Sequence, residues 1–305
     1  MATIRKNPQK ALAESLKAAR KVSQDGIINS SLLKRKHREI LTDAGWLVEI
    51  IKGWYVLSAP EAVGNTAWYG VFWGFIKQYL IGRFGEDGFC VSPEASLNLH
   101  AGDTTIPEQI VVHTKKASNT TVLLPHGSSL LLITDVKNFP KQLEVWNGVT
   151  IMPLPLALCR IPPAYYRKNP RNIEIVLKLS SLSIAAISRC TLGTEAISAA
   201  ERIIGAYEYF GEKANSDQIK NDLIAAGYHL EVKNPFEEYA PVLGSLRSAS
   251  PYAGRIRMMW FSMRERVLAI MPREPGLKSG AENRLGDIQE IYQEDAYHSL
   301  SIEGY

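Results

Sequence analysis

The sequence predicts an α+β fold, and three observations carry that prediction. Apolar runs with helical spacing alternate irregularly with short β-rich runs. Lys52-Gly53 and Asn147-Gly148 each sit between two such β-rich runs, as the turns of hairpins do. Hydrophobic residues make up 46% of the 305 positions, enough for packed cores and too much for wholesale disorder. At about 150 residues per domain the length suggests two or three domains. Composition and punctuation divide the chain into residues 1–60, 61–233 and 234–305.

The first segment opens with a helix over Pro8 to Gln24, with Leu12, Leu16 and Ala19 on one side and Gly26 as its stop. Ile27 and Ile28 form a short extended piece. Asn29, Ser30 and Ser31 offer capping oxygens before Leu32 and Leu33. Lys34 to Ala44 is a further helix closed by Gly45; its apolar set, Leu33, Ile40, Leu41 and Ala44, leaves Lys34, Arg35 and Arg38 on the opposite face. Two strands, Trp46 to Ile51 and Trp54 to Leu57, then flank Lys52-Gly53. Three helices followed by a hairpin is the layout of a winged helix.

In the middle segment, Asn65 and Thr66 cap a long apolar helix over Ala67 to Gly82. A strand over Phe89 to Ser92 leads into a helix over Pro93 to His100. Strands are expected at Gln109 to His113, Thr121 to Leu124 and Ser129 to Val136. A hairpin follows around Asn147-Gly148. Helices are expected at Ile173 to Ser188, Ala196 to Phe210 and Asp217 to Ala226. The last segment starts with a turn-rich linker from Asn234. Ser250-Pro251 then opens a helix whose Tyr252, Ile256, Met259, Trp260, Met263 and Val267 read as a core-facing stripe. A Pro/Gly-interrupted loop from Met271 to Gly280 precedes a final helix over residues 285–303.

Charge is unevenly placed. Residues 1–60 hold eleven basic against five acidic side chains, a surplus of six, whereas the whole chain nets +4. The last 25 residues hold six acids and only Arg284. A basic head and an acidic tail suit different partners. For the head the expected partner is duplex DNA, with docking of another protein, which winged helices also perform, as the alternative. A helix fits the major groove, the Lys34, Arg35, Lys36 and Arg38 cluster neutralises phosphates, and Lys52 at the hairpin tip reaches the neighbouring backbone.

Several chemistries are excluded by motif. Cys90, Cys159 and Cys190 are too sparse for a disulfide framework or a Cys-x-x-Cys site, and read as buried small hydrophobes. His100, His113 and His126 lack metal-ligand spacing and read as turn or satisfied core histidines. Ser128 is not in a Gly-x-Ser-x-Gly elbow, and Gly82, Gly85 and Gly88 do not form a phosphate loop. No metal is expected. The most apolar stretch, Ala67 to Leu80, carries Lys77 and is shorter than the roughly 20 residues a membrane span needs. No signal peptide is evident, so the expectation is a cytoplasmic protein without a membrane partner.

Two resemblances sharpen the functional reading. Ile27 to Leu57, with its basic helix, its Gly and its strand pair ending in Gly53-Trp54-Tyr55, resembles the N-terminal winged helix of AbiEi-type antitoxins. Ser92-Pro93-Glu94 with Leu99-His100-Ala101-Gly102 is similar to the module that follows it in that group. Ser299-x-x-x-Glu303-Gly304, inside Tyr297-His298-Ser299-Leu300-Ser301-Ile302-Glu303-Gly304, resembles the inhibitory-helix motif of Fic-family proteins. The resemblance implies that residues 285–305 form an inhibitory helix acting on a Fic catalytic domain in cis. Fic enzymes transfer AMP from ATP, with Mg, to a target hydroxyl through a His-Pro-Phe-x-Asp/Glu-Gly-Asn-Gly-Arg loop, which this chain lacks. The expectation is therefore a regulatory N-terminal piece of a longer AMP-transferase, cofactor-free and inactive by itself, with a homodimer left open. The alternatives are a free-standing transcriptional regulator or antitoxin that binds DNA, and an enzyme with an unrecognised site in the middle segment.

Overall fold

The computed structural model describes residues 8–60, 66–116, 119–236, 250–271 and 292. By internal contacts the chain divides into two units, Met1–Phe261 and Ser262–Tyr305. The architecture is mixed α+β.

The first unit begins with α1 (Pro8–Val22), β1 (Ile27–Asn29), α2 (Arg35–Asp43), β2 (Leu47–Ile51) and β3 (Trp54–Leu57). Asp25 and Gly26, both with positive φ (52° and 79°), turn the chain tightly from α1 into β1. The third helix expected here does not form. Asn29 Oδ1 accepts from the Ser31 backbone N–H and hydroxyl instead, folding the segment into a turn. The strands make one antiparallel sheet in the order β1-β3-β2. Strand alternation gives this sheet two buried faces. Ile28 and Leu47 pack with Ala19, Leu33 and Leu41 of the helical side. Ile27, Ile50 and Val56 face the other way.

That second face is covered by α3 (Thr66–Phe84), whose Phe72, Phe75, Ile76 and Leu80 are fully buried. Trp54 of β3 meets Phe75 edge-on at 5.8 Å, and Gln78 Nε2 donates to the Gln24 carbonyl at 2.7 Å. On its other side α3 packs on a four-stranded sheet, order β4-β5-β7-β6, built from β4 (Phe89–Val91), β5 (Gln109–Thr114), β6 (Thr120–Leu123) and β7 (Ser129–Thr134). The β5–β7 pair is parallel; the others are antiparallel. Between β4 and β5 lies α4 (Pro93–His100), opened by Ser92, whose hydroxyl accepts from the Ala95 N–H at 3.3 Å. The hairpin of β8 (Glu144–Trp146) and β9 (Val149–Ile151) turns at Asn147-Gly148, both with positive φ, as expected.

A helical body follows: α5 (Leu154–Arg160), α6 (Pro163–Lys168), α7 (Pro170–Leu177), α8 (Ile184–Thr194), α9 (Ile197–Tyr209) and α10 (Lys213–Ala225). The single helix expected over Ile173 to Ser188 is two, broken between Leu177 and Ile184. The buried Lys178 and Leu179 fall in that break. Residues 233–236 run as a strap over α9, where Phe236 packs against Tyr166, Tyr209 and Phe210.

The last described helix is α11 (Pro251–Ile270). Its expected core stripe is overturned. Gly254 and Met258 are buried, whereas Tyr252, Ile256, Met259, Trp260 and Met263 are all exposed. The helix is docked by Met258, which joins the main hydrophobic core, and by polar contacts. Arg255 Nη1 donates to Asn172 Oδ1 at 2.8 Å and lies 3.8 Å from the Asp103 carboxylate. Among the described residues no helix is long and apolar enough to cross a membrane.

Candidate nucleic-acid interface

The start of α2 defies the usual preferences of a helix N-terminus. Its N-cap is Lys34, whose side chain caps nothing, and its first turn contains no acid. Lys34, Arg35 and Lys36 stand exposed there instead. A helix N-terminus presents unpaired N–H groups and about half a positive charge, which disfavours cations and favours anions. The helix holds this position through its other side, where Leu41 and Leu33 are buried and His37 Nδ1 lies 2.9 Å from the Ser15 hydroxyl of α1.

Arg35 and Arg38 are one turn apart but differently engaged. The Arg35 Nε donates to Glu39 Oε1 at 2.7 Å, and the bond and the carboxylate charge raise the Arg35 pKa above its ordinary value. Both partners are well exposed, so the pair contributes little and exchanges readily with another anion. Arg38 is half-buried, and its Nη1 donates to the Ser30 carbonyl at 3.0 Å. The bond ties α2 to the turn after β1. Arg38 also sits close enough to Tyr55 to oppose the rise in the phenol's pKa, which partial burial drives first and the Glu49 charge second.

Lys52 is exposed at the β2–β3 turn. That turn is fixed by Gly53 (φ +87°) and by its N–H, which donates to Glu49 Oε1 at 3.2 Å. The sequence-predicted set is thus distributed as three exposed cations at the start of α2, one at the hairpin tip, and Arg38 turned toward Ser30. The Arg35–Glu39 pair has a sequence signal, since Glu39 lies at the i+4 spacing of a helical ion pair. The Arg38–Ser30 bond has none.

The other residues singled out by sequence divide clearly. His100 Nε2 is 2.8 Å from the Met152 carbonyl. His126 occupies a positive-φ turn, and His113 Nδ1 lies 3.5 Å from Asp135. Burial pushes the Cys90 thiol up to about 12. Cys90 and Cys159 are buried as expected, but Cys190 is not: it is half-exposed. Among the described residues no group of three or more His, Cys, Asp or Glu side chains is placed to hold a metal ion. Ser299, Glu303 and Gly304 lie outside the described residues. Comparison with protein-family models, with curated proteins and with solved structures finds no match.

Proposed function

We propose that residues 8–60 bind duplex DNA as a winged helix, chiefly through its phosphates. The observation that supports this most is the uncapped, acid-free first turn of α2 with Lys34, Arg35 and Lys36 exposed on it. A phosphate there accepts from free N–H groups and offsets cations that otherwise oppose the helix dipole. The β2–β3 hairpin adds Lys52 as a fourth contact, and Arg35 exchanges Glu39 for a phosphate. Arg38 acts by holding α2 against the Ser30 turn.

Four phosphate contacts give log K against log salt a slope of about −3.6, so raising salt from 50 to 200 mM costs about 150-fold in affinity. Replacing Lys34 and Lys36 with Ala halves the slope, leaving about a 12-fold loss over the same range. Fluorescence anisotropy on a labelled duplex reads both. A folded chain with no DNA binding at 50 mM salt leaves protein docking as the role of this module.

The wider proposal is that this module and the α+β body regulate a Fic-type AMP-transferase domain in cis. Its support is the Ser299-x-x-x-Glu303-Gly304 string: on a helix, residues four apart share one face, and a carboxylate there can engage a catalytic Arg in a two-bond fork.

A further inference from the structure

A cavity of about 660 Å³ opens between the 137–142 loop, α5 and the outer side of α8. Lys137, Lys141, Arg160 and Arg189 line it, and no Asp or Glu does. Among the described residues none of the four takes part in an ion pair. Elsewhere in the unit Lys178 sits on Glu174, Lys220 on Glu208 and Arg255 on Asp103. Four cations around one concavity, unpaired among the described residues, repel one another and raise the positive potential inside it. Arg160 is pre-set, because its Nη1 donates to the Asn138 carbonyl at 2.6 Å and leaves the rest of its fork free. Leu156, Pro155 and Phe139 make an apolar wall. Cys190 also lines the cavity; its thiol pKa is lowered first by a hydrogen bond with the Cys159 thiol and then, against partial burial, by the charge of Arg160.

We propose that this cavity binds a phosphorylated small molecule, with Arg160 and Arg189 on its phosphate and its planar or apolar body against Leu156 and Phe139. A carboxylate offsets one of the four charges, whereas a phosphate monoester or diphosphate offsets two or more and matches the guanidinium fork. The volume lies in the range of small-molecule sites and exceeds what inorganic phosphate fills, which calls for a body as well as an anion. The site shares no residue with the α2 and hairpin surface.

The test is calorimetry on the full chain with ADP, pyrophosphate and adenosine as probes. ADP and pyrophosphate bind saturably and adenosine does not. Arg189→Gln, at an exposed position, and Arg160→Gln each weaken ADP by about tenfold or more. ADP slows alkylation of Cys190. Lys34→Ala with Lys36→Ala leaves ADP affinity unchanged while weakening DNA binding, so the two sites fail or survive separately. The proposal is overturned by the absence of saturable ADP or pyrophosphate binding at about 1 mM. It is equally overturned by unchanged affinity in both Arg variants, or by protection of Cys190 by duplex DNA but not by ADP.

Discussion

Gly205 lies in the middle of α9, where Ala ordinarily stabilises a helix by about 1 kcal/mol. Here Gly205→Ala is expected to destabilise. A Cβ built on Gly205 falls 2.2 Å from the Lys233 carbonyl oxygen and 3.3 Å from Pro235 Cδ. Carbon and oxygen need about 3.3 Å, so the strap must move by about 1 Å. The obstacle is backbone, not the mobile end of a side chain. Moving the strap lifts Phe236, 8% exposed, out of the ring cluster of Tyr166, Tyr209 and Phe210. It also strains the Glu231 N–H bond to Glu201, 2.8 Å long. Losing most of one buried Phe costs about 1.5–3 kcal/mol. Set against the helix gain, the net loss is about 0.5–2 kcal/mol. Urea unfolding reads it as a lower midpoint at unchanged slope. The decisive comparison is the same substitution in a Phe236→Ala background, where the strap has little left to lose. There Gly205→Ala becomes neutral or stabilising. Additive losses in the double variant, or an otherwise wild-type chain that tolerates Gly205→Ala, would refute the reasoning.

Three further outcomes are expected. Lys178, 1% exposed, lies 2.9 Å from Glu174 and 5.6 Å from the centre of the Phe210 ring, so Lys178→Met takes the cation away from a buried carboxylate at a cost of about 3–5 kcal/mol. Adding Glu174→Leu recovers most of that loss in urea unfolding, and no recovery refutes the pairing argument. Burial lowers the His113 pKa below 6.5, against the opposing charges of Asp135 and Glu94. The unfolded chain therefore takes up the proton first, and this group's stabilisation, full above about pH 6.5, is lost as the pH falls. His113→Gln flattens that acid limb of the stability profile, and an unchanged limb counts against it. In a longer protein carrying the Fic loop, Glu303→Gly raises AMP transfer by an order of magnitude or more, as loss of a charged fork worth about 1.5–3 kcal/mol requires; equal rates at saturating ATP refute the inhibitory role.

Local punctuation made some elements legible and misled at others. Ser92-Pro93 announces α4 because a capping hydroxyl and a preset φ need no tertiary help, and Asn147-Gly148 announces its hairpin for the same reason. No element was expected over α5 and α6; Pro153, Pro155, Pro162 and Pro163 sit at their starts, where a missing N–H costs nothing. The Leu177–Ile184 break carries no Gly or Pro, and its turn formers are three serines, so periodicity ran straight through it. The α11 stripe failed differently: its spacing is right for a buried face, but burial depends on what lies opposite. Of the interface, the cations were legible as composition. Their division into exposed Lys34, Arg35 and Lys36 and anchored Arg38 was not, because it depends on a carbonyl eight residues away.

The two-faced use of the β1-β3-β2 sheet has a consequence for how the molecule opens. Cut free, residues 8–60 would bare Ile27, Ile50, Val56 and one side of Trp54, a hydrophobic strip suited to aggregation. The basic head is therefore expected to have no autonomous melting transition, its strands exchanging their amide protons in the same cooperative event as β5 and β7, with α3 as the common wall. Any ligand that grips the head then raises the unfolding free energy of the body as well, by mass action, without touching it.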